Sequence, residues 1–219
     1  MCLSIENGFK TNDTFVETLC VEKGMVWHLP YHNARMNRTR TALFGATDTL
    51  DLADYIHPEP YQERTKCRVE YARNIIKVEY VPYRMRPVAS LRLVVCDTID
   101  YTYKSTDRRR LNELFDLRDE ADDILIVRRG LLTDTSICNI ALWNGTEWLT
   151  PARPLLQGTE RAFLLDKGLI RPVDLVPSDL RKGMRVRLFN ALIHFSELEF
   201  CLSDVGGAPL QTEYPGRSR

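Results

Sequence analysis

The sequence predicts an α+β protein of two domains, residues 1–86 and 87–219. Three observations predict it. Short apolar runs broken by turn residues recur along the chain, as in hairpin-linked strands. Helical spacing recurs in short segments among them, over residues 31–43, 108–118 and 161–168. Pro82 and Pro87 bracket a stretch that reads as a linker.

In the first domain, Thr14 to Val21 alternates as a strand. Lys23-Gly24 turns it, and Met25 to Leu29 pairs back until Pro30 ends that strand. Tyr31 to Leu43 is a helix with Ala34, Met36 and Leu43 as its apolar or small positions, and Gly45 is placed to cap it. Asp51 to Ile56 forms a second short helix. Cys67 to Ala72 and Ile75 to Val81 are strands joined at Arg73-Asn74.

The second domain begins with a buried strand, Leu91 to Val95, followed by an extended or looped Asp100 to Asp107. Arg108 to Arg118 is helical, with Leu111, Leu114, Phe115 and Leu117 apolar. Ile124 to Val127 and Ile137 to Leu142 are strands on either side of Arg128-Arg129-Gly130, which puts Asp134 at a turn. Asn144-Gly145 is the strongest short hairpin signal, and Trp148 to Thr150 returns as a third strand stopped by Pro151. A helix over Arg161 to Gly168 follows. Another opens at Pro177 with Ser178 as N-cap, and Val186 to Phe189 is a strand ending in a turn at Asn190-Ala191. The tail after Asp204, with Gly206-Gly207, Pro209 and Pro215, reads as loosely ordered.

Thirty basic residues balance thirty acidic ones, so no global field favours nucleic acid or an anionic membrane. No apolar run is long enough to span a bilayer, and no signal peptide pattern opens the chain. A cytoplasmic protein is expected. Six scattered cysteines (Cys2, Cys20, Cys67, Cys96, Cys138, Cys201) form no Cys-x-x-Cys pair and read as reduced thiols. The histidines suggest no zinc geometry, so no metal is expected.

Gly130 to Arg161 is the most informative stretch. It contains Gly130-Leu131-Leu132-Thr133-Asp134, then Ser136-x-x-Asn139-Ile140, Thr150-Pro151, and Leu155-Leu156-x-Gly158-x-x-Arg161. A glycine just before a helix leaves backbone N–H groups pointing forward, a ready anion site. In this order the motifs resemble the class IV aminotransferases, the fold-type IV pyridoxal phosphate (PLP) enzymes. These include branched-chain and D-amino acid aminotransferases and aminodeoxychorismate lyase. The resemblance runs from about Phe15 to Phe195. It implies PLP as cofactor, a cofactor cleft between the two domains, a homodimer and a small amino substrate.

PLP chemistry needs an imine-forming lysine, a carboxylate that keeps the pyridine nitrogen protonated, donors for the phosphate, and a substrate anchor. By resemblance, Lys104 is the lysine: it precedes a helix and stands about thirty residues before the acidic position. On its own it reads as a solvated loop lysine. Asp134 takes the place where the family usually has glutamate; by itself it reads as a turn aspartate bonding its own backbone. Gly158-Thr159-Glu160 matches the family's Gly-Ile-Thr phosphate turn. Glu160 must point away there, because a carboxylate beside a phosphate dianion is unfavourable. Asn190-Ala191-Leu192 resembles the second phosphate turn of the lyase branch. Arg35, in His32-x-x-Arg35, matches the phosphate-binding arginine; the alternative is a solvated helix arginine. Arg68, Tyr103 and Arg109 are the substrate candidates, with Arg68 either a carboxylate clamp or solvent-facing.

Two departures accompany the match. The family usually carries further residues before the Phe15-x-Glu17-Thr18 strand, and its Pro-Val after the second phosphate turn is replaced by Ser196-Glu197. The cofactor machinery looks retained and the substrate half altered. The function expected first is a lyase resembling aminodeoxychorismate lyase, which releases pyruvate and leaves p-aminobenzoate, a folate precursor. Lys104-x-x-Asp107-Arg108 supports it, since that branch has Lys-x-x-Asn-Arg. An amino acid aminotransferase of branched-chain or D-amino acid type is the second expectation. A PLP-binding homologue without catalysis is the third.

Overall fold

The computed structural model describes residues 13–202 and 210–211. They divide into two compact units. One comprises the described residues up to Tyr83 together with Tyr103–Arg108; the other comprises Arg84–Thr102 and the residues from Arg109 onward. The chain thus leaves the first unit after Tyr83, not after residue 86, and returns to it for the segment that carries Lys104.

The first unit runs β1 (Phe15–Glu22), β2 (Met25–Val26), α1 (Leu29–Phe44), β3 (Thr65–Tyr71) and β4 (Ile75–Pro82). Its antiparallel sheet has the order β2-β1-β3-β4. Alternate residues of a strand share a face. Phe15, Leu19 and Val21 of β1 lie with Cys67, Val69 and Tyr71 of β3 in one buried cluster, which also takes in Met36 of α1. Pro30 does not end a strand. β2 stops at Val26, His28 turns the chain in the left-handed region (φ 57), and Pro30 lies in the first turn of α1, where a missing N–H costs nothing. Gly45 caps the far end at φ 59. The expected helix at residues 51–56 is a single 3-10 turn, Leu52–Asp54, capped by the Asp51 carboxylate. Tyr103–Arg108 lines the edge of β1: Val16 N–H donates to the Lys104 carbonyl (2.9 Å) and Thr106 N–H to the Thr14 carbonyl (3.0 Å).

The second unit contains β5 (Leu91–Val95), α2 (Arg109–Asp116), β6 (Asp123–Arg128), β7 (Leu131–Thr135), β8 (Asn139–Trp143), β9 (Trp148–Pro151), α3 (Thr159–Asp166), β10 (Arg171–Val173), β11 (Arg185–Phe189), β12 (Glu199–Cys201) and β13 (Leu210–Gln211). They form two sheets, ordered β13-β5-β6-β7 and β10-β9-β8-β11-β12. Arg129 (φ 52) and Gly130 (φ 77) make a tight turn of the kind that joins antiparallel strands. The strand after it therefore begins at Leu131, and Asp134 lies within β7 instead of at a turn. Ile137, expected to open a strand, is exposed in the connection to β8. Ser178 is not an N-cap. It lies inside a 3-10 turn, Pro177–Asp179, where the Asp179 carboxylate accepts from Val176 N–H (2.8 Å). Leu210 and Gln211, two residues of the tail expected to be loosely ordered, pair parallel with Val94 and Val95. Gly206-Gly207, Pro209, Pro215 and Cys2 lie outside the described residues. Cys20, Cys67, Cys96 and Cys138 are buried free thiols, and Cys201 is exposed. Among the described residues no helix is long and apolar enough to cross a membrane.

Candidate cofactor site

In the second unit, β7 places Asp134 in a buried position. Its Oδ1 accepts from Asn139 Nδ2 (2.8 Å) and its Oδ2 from Leu156 N–H (2.9 Å). Burial pushes the carboxyl up to about 6, although these hydrogen bonds and the charge of Arg161 pull it down. Such a carboxylate fits a protonated pyridine nitrogen, because a cation set against it offsets the cost of its burial.

Asn139 links this carboxylate to the start of α3. Its Nδ2 also donates to the Leu156 carbonyl (3.1 Å). Its Oδ1 lies 2.0 Å from where a Cβ on Gly158 would stand. Gly158 is therefore required for close approach; its own φ of −66° is ordinary. We expect Gly158→Ala to displace Asn139, which is pinned at two points. Overpacking of this sort costs roughly 1–3 kcal/mol, readable as a lower urea midpoint together with weaker PLP uptake. An unchanged midpoint would show that Asn139 can move aside freely.

The second turn closes on the same region. β11 pairs with β8 so that Phe189 stands opposite Asn139. In the turn that follows, the Asn190 Oδ1 accepts from Leu192 N–H (2.8 Å) and Ile193 N–H (3.1 Å), and its Nδ2 donates to the Ile137 carbonyl (3.2 Å). Asp134 and Gly158 thus meet at Asn139, and Asn190 fastens to Ile137 and Cys138, which immediately precede Asn139. Glu160 is buried in α3.

In the first unit, Arg35 is a buried side chain, which excludes a solvated helix arginine. Its Nε donates to Glu17 Oε1 (2.9 Å) and its Nη2 to Glu17 Oε2 (2.5 Å). His32 Nδ1 donates to the same Oε2 (2.6 Å), since an ionised carboxylate only accepts. Burial would raise the Glu17 carboxyl, but Arg35 and His32 outweigh it and hold it near 2. Burial keeps the His32 imidazole below its usual range against the pull of Glu17, with the charges of Arg35 and Lys104 adding to the depression.

Lys104 is half-buried, with its carbonyl pinned to β1. Tyr103 packs edge-on against Phe15, with centroids 6.2 Å apart. Arg68 already meets two carboxylates, Glu70 (2.8 Å) and Glu79 (3.3 Å). Arg109 is exposed at the start of α2, in the second unit. Glu17, His32, Asn139 and Arg161 stand in the sequence motifs, but sequence reasoning gave none of them a role as a partner in the site. Glu17 carried a signal: it alternates with Phe15 and Leu19, an acid on an apolar face. His32 and Arg35 lie three residues apart, on one side of a helix.

The amino-transferase class IV family profile matches residues 14–197. The chain belongs to the class IV aminotransferases. Members of this family are PLP-dependent enzymes. This class IV aminotransferase is 33% identical over 180 residues to an uncharacterised protein of Haemophilus influenzae, covering 80% of this chain and 96% of that one. It is 27% identical over 188 residues to a Schizosaccharomyces pombe protein provisionally named aminodeoxychorismate lyase, covering 77% and 81%. A crystal structure from Haemophilus somnus, provisionally named 4-amino-4-deoxychorismate lyase, superposes with a TM-score of 0.75 at 30% identity, covering 85% of this chain and all of that one. The PLP-bound form of a hypothetical aminotransferase from Mycobacterium tuberculosis shares the fold, with a TM-score of 0.70 at 17% identity over 86% and 81% of the two chains.

Proposed function

We propose that this chain is a PLP-dependent lyase that cleaves aminodeoxychorismate to p-aminobenzoate and pyruvate. The observation that carries the cofactor assignment is the buried Asp134 carboxylate, held by Asn139 and Leu156 among the Gly158 and Asn190 turns. The lyase reaction draws its support from the relatives named for it in Haemophilus somnus and Schizosaccharomyces pombe.

When bound, PLP supplies a ring that takes up the electrons of a breaking bond beside the substrate nitrogen. In this reading Asp134 holds a proton at the ring nitrogen. Gly158-Thr159, Asn190-Ala191 and Arg35 bind the phosphate. Lys104 anchors the cofactor and moves a proton at the reacting carbon. In this reading the active protein is a cytoplasmic homodimer.

Added PLP should give the purified protein a visible absorption band, and borohydride reduction with peptide mapping should place the label on Lys104. A label on another lysine would overturn that assignment. Aminodeoxychorismate should then release pyruvate and p-aminobenzoate while the cofactor spectrum stays constant. Stoichiometric conversion of the cofactor to its amine form by an amino acid, without lyase turnover, would identify an aminotransferase instead. Bound cofactor with neither reaction would identify a homologue without catalysis.

A further inference from the structure

Arg161 ends the Gly158-x-x-Arg161 motif, yet the proposed function leaves it without a task. It is the third residue of α3 and only 4% exposed. Its Nη1 donates to Gln157 Oε1 (3.1 Å) and its Nη2 to the Pro151 carbonyl (2.9 Å). Its Nε is buried without a hydrogen-bond partner among the described residues. A buried guanidinium with only neutral acceptors is costly unless an anion lies near.

That anion is Asp134. Burial lowers the Arg161 guanidinium, and the Asp134 charge raises it again; reciprocally, Arg161 draws Asp134 down. The backbone supplies a second connection. Arg161 fastens Pro151 and Gln157, and between them Leu156 gives its N–H to Asp134 and its carbonyl to Asn139. We propose that Arg161 is a positioning residue for Asp134: it closes the Pro151–Gln157 segment over the carboxylate and supplies the buried positive charge that favours its anion. The inference rests on reading Asp134 as the partner of the cofactor's ring nitrogen, which needs that anion.

Asp134 is faced by Asn139 from β8, by the N–H groups of Leu155 and Leu156 from the loop, and by Arg161 from α3. The Cys138 thiol also feels its charge. Burial, Asp123 and Asp134 push that thiol up to about 12, so it stays neutral. Arg161 is the charge whose loss Asp134 should register.

The test uses the full-length protein without added cofactor, carboxyl-labelled with carbon-13 at aspartate, and followed by NMR against pH. Asp134→Asn identifies the Asp134 signal. The wild-type midpoint should lie near 6. Arg161→Gln removes the charge but keeps a donor, and should raise the midpoint by roughly 1 to 3 pH units. Arg161→Lys keeps a charge that cannot bridge Gln157 and Pro151, and should raise it less. An unchanged midpoint in Arg161→Gln overturns the proposal. Where Arg161→Gln alone does not fold, the pair Arg161→Gln with Asp134→Asn decides. Recovery of the fold supports the charge role, and no recovery reduces Arg161 to a structural strut and overturns it. Failure of the cofactor reading shows separately, as wild-type protein that takes up no PLP while its Asp134 titration is as expected.

Discussion

Asp134→Asn is expected to retain PLP and to slow any reaction that draws electrons into the cofactor ring by orders of magnitude. The side chain keeps its size, so the phosphate turns should hold. What disappears is the negative charge that keeps a proton on the ring nitrogen. The variant also sets an amide NH2 against two donors, Asn139 Nδ2 and Leu156 N–H. One of those hydrogen bonds must break, at about 1–3 kcal/mol for a buried unsatisfied group. Asp134→Glu should be milder for the reaction, since it keeps the charge. The check is single-turnover kinetics alongside the cofactor spectrum, and a fully active Asp134→Asn would remove Asp134 from the mechanism. A second signature lies in the protein without cofactor. A carboxyl raised from 3.8 to about 6 on folding binds its proton more tightly in the folded state. Its stabilisation is present below about 4 and is lost as pH climbs through 6, at roughly 3 kcal/mol. Asp134→Asn should lack that fall.

Glu17→Gln is expected to lose roughly 3–5 kcal/mol of stability, the cost of removing one partner from a buried ion pair. Arg35 would be left as a buried cation beside a neutral amide, and the His32 Nδ1–H would face a weaker acceptor. Urea unfolding measures the loss. A change below about 1 kcal/mol would mean that water or another group replaces the carboxylate. The pH dependence has the opposite sign to that of Asp134. Folding lowers the Glu17 carboxyl from 4.5 to about 2, so its stabilisation is present above about 4.5 and is lost as pH falls through 2. The shift corresponds to roughly 3 kcal/mol. Wild-type protein should therefore weaken over that acid window more steeply than Glu17→Gln.

Much of this chain was legible because local chemistry set it. The Gly45 cap and the Asn144-Gly145 connection between β8 and β9 each follow from the conformations that a few neighbouring residues allow. The order of the Gly130–Arg161 motifs was enough to indicate the family, which the profile match over residues 14–197 bears out. Pro30 shows the limit of such reading: a proline can end a strand or begin a helix, and the left-handed turn at His28 decided for the helix.

The tertiary structure alone decided where polar residues are buried. Asp134 looks like a turn residue in sequence, yet it lies with Thr133 and Thr135 in the buried stretch of β7. Their place depends on pairing with β6 across the Arg129-Gly130 turn. Glu17 meets Arg35 across 18 residues, and Leu156 meets Asp134 across 22. No spacing rule links such positions. Sequence determined which residue types were available and which short segments would turn, extend or coil. Folding determined which acid faces which base, because burial makes an unpaired charge costly and only the packed chain brings its partner within reach.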